Sequence, residues 1–533
     1  MAEQFTSLVN TFGGMNFADR STPSRSDPTQ DLLKTIWDLK TSCQSTSANA
    51  AHVRTVIEGT QTPSGENIAR LSTLRREAVA LAKATKKFSD ATENYIMAYL
   101  TSLASPWTLE QKMLSHFSDE VKRIAGNVLD DETTDERSVL RIILEECYAQ
   151  ALCTSGTLHS DDEEYYEHEN RLAIDDSDAD AYRVQCERKA ERKEQQREEW
   201  IGFWVRALSK CPDEPTTLFY PPASRLPNCH LAEVPRYLFR AFDEESSGRS
   251  DHHVVASAES ISAESERSRT DLLSRPPRES TRMLYNHLKW FTSEDADNLM
   301  SWSGSLLYVI QYAIWKCNKR CCDPAEVYIC IVDTRKFPRG QFARDKSLLR
   351  AYRDAPELDQ SMRSFFAFRL GYPYYDNGEY LSQGILHHAG RSSVVSLKQL
   401  MQAGLYDLYP EFADASARNL WAKRVGFLRS AWSYEHITTQ LDIQYAVNVA
   451  RECFNGFDAL DIALVLLTLK KRKLLPIATM RQGVRRIYRD FGPVEVQRYT
   501  DIMKNIMAKD GDTLNALFAL ATDRQLEEIF ECS

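Results

Sequence analysis

Ser303 to Lys316 reads SGSLLYVIQYAIWK, and a little further on Val327 to Val332 reads VYICIV. The first is a run that serine can cap and that an apolar helix can bury. The second is a short apolar stretch rich in β-branched residues, the composition of a buried strand. On the N-terminal side, Tyr237 to Phe242 (YLFRAF) alternates with period two, and on the C-terminal side Gly378 to Ile385 and Ser393 to Leu397 read as two more strands. The centre of the chain is therefore expected to mix strands with helices. Ser246 to Ser280 holds ten serines and reads as a surface excursion from that centre.

The flanks carry a different period. From Leu71, the positions Leu71, Leu74, Ala78, Leu81, Thr85, Phe88, Thr92, Tyr95 and Tyr99 alternate steps of three and four, which keeps one helix face on a partner. That helix should stop near Ser105-Pro106, because a residue before proline avoids the helical region. Further helices are expected at Leu109 to Leu129 and Ser138 to Leu152, giving an N-terminal helical bundle that serves either self-association, partner docking or internal packing. After Glu411 helices return at Asn419 to Ala431, Thr438 to Cys453, Phe457 to Leu474, Thr479 to Arg489, Val494 to Ala508 and Thr513 to Phe530. Phe457 to Leu469 is apolar around nearly its whole circumference, as the central helix of a bundle would be.

These segments divide the 533 residues into a loose tail (1–30), an N-terminal helical domain (31–158), a charged helical linker (159–230), a central α+β domain (231–409) and a C-terminal helical bundle (410–533). The linker opens on Asp161 to Asp180, with ten acids against Arg171. It continues in RVQCERKAERKEQQREEW, where Arg188, Lys189, Arg192 and Lys193 lie a helical step from Glu187, Glu191 and Glu194, and it closes on the proline-rich Phe219 to Pro227. The acidic stretch accounts for nine of the ten net negative charges, so no whole-protein field draws the chain onto nucleic acid or an anionic membrane. The longest apolar runs, Val327 to Val332 and Ile462 to Leu467, fall far short of the roughly 20 residues that span a bilayer, so no membrane partner is expected. The opening MAEQFTSLVNTFGG has neither a basic n-region nor an apolar h-region, so a secretory signal is not expected either. Twelve cysteines without a C-x-x-C pair read as reduced thiols of a cytoplasmic or nuclear protein. Cys317, Cys321, Cys322 and Cys330 cluster in sequence, but without regular ligand spacing, so no metal is expected. Nor do His252-His253 and His387-His388 chelate, since neighbours on a strand face opposite ways. Lys470, Lys471, Arg472, Lys473, Arg481 and Arg485 lie in a stretch of eight basic residues with no acid. It reads as a solvated basic face, or as a patch for RNA, an acidic partner or the chain's own acidic linker; KKRK also resembles a nuclear import signal.

The run YLFRAFDEESSG, then LMSWSGSLLYVIQYA, then VYICIVDTRKF, then YDNGEYLSQGIL followed by SSVVSL, resembles a fungal domain of unknown function. The order of its features is similar to that of the Arg-Ser-Glu, cholera-toxin-like ADP-ribosyltransferases. The resemblance covers about Arg236 to Tyr409 and implies an ADP-ribosyltransferase-like α+β fold flanked by all-α domains. It puts Arg240 at the arginine position, Ser301-Trp302-Ser303 at the Ser-x-Ser strand and Glu379 at the catalytic glutamate. NAD would be the substrate and a protein the acceptor. Glu379 would stabilise positive charge developing at the ribose, Ser301 and Ser303 would orient that carboxylate, and Arg240, with Ser301, would hold the dinucleotide. Arginine-modifying relatives of this kind carry Glu, and others Gln, two places before the catalytic Glu. Asn377 stands there in this chain, an acceptor-side position where a shorter amide cannot act as a base. The resemblance thus admits an enzyme, transferase or NAD glycohydrolase, and equally a catalytically inactive interaction scaffold of the same fold.

Overall fold

The computed structural model describes residues 28–59, 64–160, 179–220, 231, 233–262, 266–290, 297–473 and 492–507. It is mainly helical, with a central antiparallel sheet between helical N- and C-terminal regions. The chain divides into two compact units, one of residues up to Pro106 with Leu114–Asp130, the other of Trp107–Met113 with everything from Asp131 onward.

In the first unit the long amphipathic helix runs Gly65–Leu103, capped at its start by Ser64 and ended at Ala104 before Pro106. Its last turns bury Ile96 and Leu100, and Ser118–Leu129 packs there through Val121, Ile124 and Ala125. The single helix expected over Leu109 to Leu129 is two, Leu109–His116 and Ser118–Leu129, with Phe117 at the break. The sequence tail 1–27 lies outside the described residues, as do 161–178 of the acidic stretch and 221–230 of the proline-rich one.

In the second unit Val139–Leu152 packs on Ala179–Ser209, whose end carries the buried Trp200, Phe203, Trp204 and Leu208. The large sheet has strands β1 (Tyr237–Phe242), β4 (Leu299–Ser303), β5 (Tyr328–Asp333), β6 (Ala343–Arg344), β7 (Glu379–Gln383) and β9 (Ser392–Ser396) in the order β6-β7-β4-β1-β5-β9, every pair antiparallel. A smaller sheet joins β2 (Arg249–Ser250), β3 (Val254–Ala256) and β8 (Ile385–His387). The stretch read as one strand from Gly378 to Ile385 is therefore two strands in two sheets. Gly384 turns the chain between them at φ +68°, where a Cβ would meet Thr217 Oγ1 at 3.0 Å.

Ser246 to Ser280 is not a surface excursion. It supplies β2, β3 and the start of the helix Pro277–Leu288, and it buries Val255, Leu272, Leu273 and Ser280. Its serines hold the chain together locally: Ser246 Oγ accepts from Asp243 N, and Ser280 Oγ donates from the helix back to Leu272 O at 2.7 Å.

The two faces of the large sheet differ. One packs Leu238, Met300, Trp302, Val332 and Tyr380 together. The other carries two separate apolar clusters, one around Phe239, Ile329 and Ile331 and one around Leu299, Ala343 and Leu381. The first of these continues without a break into the helices after residue 410, including Ala459–Leu467, whose residues from Asp461 to Leu467 are all buried. That helix is shorter than the expected Phe457 to Leu474, because Arg472–Lys473 pair as a short strand with His436–Ile437. Asp461 ties the helices to β1 by accepting from Tyr237 Oη at 2.6 Å and Tyr499 Oη at 2.7 Å. The helices expected at Thr479 to Arg489 and Thr513 to Phe530 lie outside the described residues, whereas Val494–Met507 forms as expected. No described helix is long and apolar enough to cross a membrane.

Candidate functional site

Ser301, Ser303 and Glu379 lie on the second of the two faces of the large sheet, whereas Arg240 is in step with Leu238 and Phe242, which pack on the first. Antiparallel register places Ser303 opposite Glu379 and Ser301 opposite Leu381, so both serines share a face with Glu379. Ser301 Oγ donates to Glu379 Oε1 at 2.8 Å. Ser303 does not reach the carboxylate. Its hydroxyl donates to the Asn377 carbonyl at 2.7 Å and accepts from Ser305 N, which anchors the loop ahead of β7 to the start of the helix Leu306–Arg320.

Arg240 sits inside β1. That strand keeps a single registered pair with β4, Phe239 with Ser303, and past it Arg240 Nη1 donates to the Ser301 carbonyl at 2.8 Å. Its Nε is buried with no hydrogen-bond partner, and no carboxylate pairs with it among the described residues. Burial pulls its pKa down, since nothing nearby stabilises the cation enough to offset desolvation. Arg240 and Glu379 are thus separate charges bridged by Ser301, its main chain serving one and its hydroxyl the other.

Four residues of the site were not singled out in the sequence. Arg369, on the helix Gln360–Gly371, donates from Nη2 to Glu379 Oε2 and to Asp345 Oδ2, each at 2.6 Å. Burial works against the Arg369 charge, but the two carboxylates prevail and its pKa rises. Asp345 moves up as well: desolvation and the nearby negative charges of Glu379 and Asp376 outweigh Arg369. His287, in the last turn of Pro277–Leu288, places Nδ1 3.0 Å from Asp297 Oδ2 and Nε2 2.9 Å from Ser301 Oγ. The one signal for these residues is polar chemistry on an apolar helix face. His287 follows Met283 and Leu284 by four and three positions, and Arg369 follows Phe366 by three.

The loop 376–378 that presents Glu379 is clamped by cations. Arg344 and Lys346 both pair with Asp376 at 2.7 Å and hold its carboxyl below the usual range against the cost of burial. Gly378 takes φ +62° and donates its N–H to Asp376 Oδ1, a turn that a side chain would strain. Arg429 donates to Asn377 Oδ1 at 3.2 Å and pairs with Glu495, which also accepts from Ser305 Oγ. The Asn377 amide oxygen is therefore held by a residue of the C-terminal helices. An aromatic group adjoins the site: Tyr308 lies within electrostatic reach of Glu379 and Tyr312 of Arg240, and both rings pack on Trp421.

Other residues noted in the sequence lie elsewhere. Lys470 pairs with Glu411 at 2.8 Å and lies over the rings of Tyr409 and Trp432, while Arg472, its side chain 4% exposed, pairs with Asp442 at 2.9 Å. Neither offers its charge to a nucleic acid, because both are spent inside the fold; Arg481 and Arg485 lie outside the described residues. Cys317 Sγ donates to the Cys322 carbonyl, and no group of three or more His, Cys, Asp or Glu that could hold a metal occurs among the described residues. His387 faces Glu214, and His388 bonds Ser392 at 2.6 Å.

Among known proteins, the chain is similar to one family over part of its length: residues 233–386 match a domain of unknown function, DUF7587. That segment begins just before β1 and ends within β8, so it contains Arg240, His287, Ser301, Arg369 and Glu379, while Trp421, Arg429 and Glu495 fall outside it. No curated protein and no solved structure is detectably similar to the chain.

Proposed function

We propose that the Arg240–Ser301–Glu379 centre takes NAD as substrate and cleaves its nicotinamide–ribose bond, as a mono-ADP-ribosyltransferase or NAD glycohydrolase with an ADP-ribosyltransferase-like fold. The observation that carries this reading is Arg240: a half-buried guanidinium with no acid paired to it among the described residues and its Nε without a hydrogen-bond partner there. A cation in that state is costly unless an anion arrives to pair with it, and the pyrophosphate of a dinucleotide is such an anion.

Glu379 then provides negative charge where positive charge develops at the ribose, and Ser301 fixes the orientation of that carboxylate from one side as Arg369 does from the other. Asn377 bears on the acceptor. Its amide is no base and its oxygen is taken by Arg429, which favours water over a protein arginine as the receiving nucleophile. The described cysteines are all free thiols, in keeping with a reducing compartment, cytoplasm or nucleus.

A second reading, an inactive interaction scaffold, has its own observation: Glu379 is already neutralised by Arg369 and 17% exposed. Turnover separates the two. Glu379→Gln should retain the fold while nicotinamide release falls on the order of 100- to 1,000-fold, the scale of one lost electrostatic contact to a transition state. Wild-type protein that releases no nicotinamide from NAD supports the scaffold instead.

A further inference from the structure

We propose that His287, held by Asp297, is the positioning residue that aims the Ser301 hydroxyl at Glu379, and that the proton on His287 determines whether the hydroxyl points there. The inference rests on Glu379 being the reacting carboxylate for its effect on turnover, though not for the hydrogen-bond chain itself.

That chain is continuous. Asp297, its Oδ1 fixed by the Leu299 N–H at 2.9 Å, faces His287 Nδ1 at 3.0 and 3.1 Å; His287 Nε2 faces Ser301 Oγ at 2.9 Å; Ser301 Oγ faces Glu379 Oε1 at 2.8 Å. A hydroxyl has one proton to give. When His287 is an imidazolium, both ring nitrogens donate: Nδ1–H to Asp297 and Nε2–H to Ser301 Oγ. Ser301 is then left with its proton for Glu379, and every group in the row is satisfied. When His287 is neutral, Asp297 retains the proton on Nδ1 and Nε2 becomes a bare acceptor. Two acceptors, Nε2 and the Glu379 carboxylate, then compete for a single hydroxyl proton, and Glu379 Oε1 shares the bond that orients it while Arg369 still holds Oε2.

The groups facing His287 favour the charged form. Burial opposes the charge, but Asp297 beside Nδ1 and the more distant Glu379 outweigh both burial and Arg240, and the pKa lies above the ordinary histidine value. His287 also ends its helix, where a cation is favoured. A Ser-His-Asp row is also the arrangement of acyl-transfer enzymes. Here the hydroxyl is committed to a carboxylate and the groups around the imidazole favour its acid form, which makes Ser301 an orienting group rather than a nucleophile.

The test uses the full chain with 13C-labelled histidine, the His287 signal being assigned by its loss in His287→Gln. The wild-type signal should titrate above 6.5, and Asp297→Asn should lower its midpoint. Glu379→Gln should lower it too, and by less when Ser301→Ala has cut the chain between them. In turnover, nicotinamide release should fall as pH rises through that midpoint. His287→Gln, whose amide donates to Ser301 and has no proton to lose, should keep activity flat over the same range, and His287→Ala should be low throughout. A midpoint at or below 6.5, an equal effect of Glu379→Gln with and without Ser301, or covalent labelling of Ser301 by a fluorophosphonate would overturn the proposal. If wild-type protein releases no nicotinamide, the NAD reading fails, and the titration alone still decides the role of His287.

Discussion

Arg369→Met removes a cation that the buried Asp345 and the half-buried Glu379 share, and the structure sets the scale of the consequence. Arg369 Nη2 lies 2.6 Å from both Asp345 and Glu379, with side chains 18%, 2% and 17% exposed respectively. Removing one partner of a buried pair costs about 3–5 kcal/mol, mostly because the remaining charge is stranded. Two features hold the loss near the lower figure, about 3 kcal/mol: Ser301 still serves Glu379, and Asp345, its pKa already raised, can take up a proton. That proton uptake makes the deficit depend on pH. A carboxyl whose folded pKa lies above its unfolded one binds more protons when folded, so stability falls as pH rises through that interval and the variant recovers as pH falls. Urea unfolding of the full chain, followed by tryptophan fluorescence at pH 7.5 and pH 5, measures this. Adding Asp345→Asn to Arg369→Met should restore part of the loss at pH 7.5 and little at pH 5. A single variant as stable as wild type, or a deficit identical at both pH values, would refute the shared-cation account.

Other outcomes follow from the same geometry. Burial pushes the His388 imidazole down to about 4, so between pH 6.5 and about 4 the unfolded chain binds a proton that the folded chain does not. Stability should fall over that window by on the order of 3 kcal/mol, and His388→Leu should flatten the fall in denaturation curves taken across it. Asp461→Ala strands two tyrosine hydroxyls and leaves Arg236 the more distant Asp333, and should destabilise by more than Tyr237→Phe and Tyr499→Phe combined; melting all three variants checks the order. Lys470→Gln should lower stability and leave any RNA binding at low salt unchanged, whereas a loss of binding would show that its charge is available at the surface.

How much of this was legible in the sequence depended on whether a local pattern carried it. The strands Tyr237–Phe242, Tyr328–Asp333 and Ser392–Ser396 were readable because alternation or a β-branched run is a property of neighbours in the chain. So was the helix expected over Ser303 to Lys316, announced by a serine cap, although it runs Leu306–Arg320 and Ser303 ends β4. Register was not: that Ser301, rather than Ser303, reaches Glu379 depends on how β4 meets β7, and no local pattern specifies it. Arg369 was invisible for a related reason, since MRSFFAFRL reads as a half-buried helix whichever carboxylate its arginine meets. His287 and Asp297 stand ten residues apart in the chain, and no local pattern pairs them. The serine-rich Ser246 to Ser280 shows the limit of composition, which counts hydroxyls without saying whether they bond the main chain or face water.

Whether Arg240 holds a dinucleotide is measured by isothermal calorimetry of NAD into the full chain, wild type beside Arg240→Ala and Glu379→Gln. Wild type should bind saturably and Glu379→Gln with nearly the same affinity, since that carboxylate acts on the transition state, while Arg240→Ala should lose about 1.5–3 kcal/mol of binding, the worth of a charge-assisted hydrogen bond. No heat of binding with wild type, or an affinity indifferent to Arg240, would contradict that role.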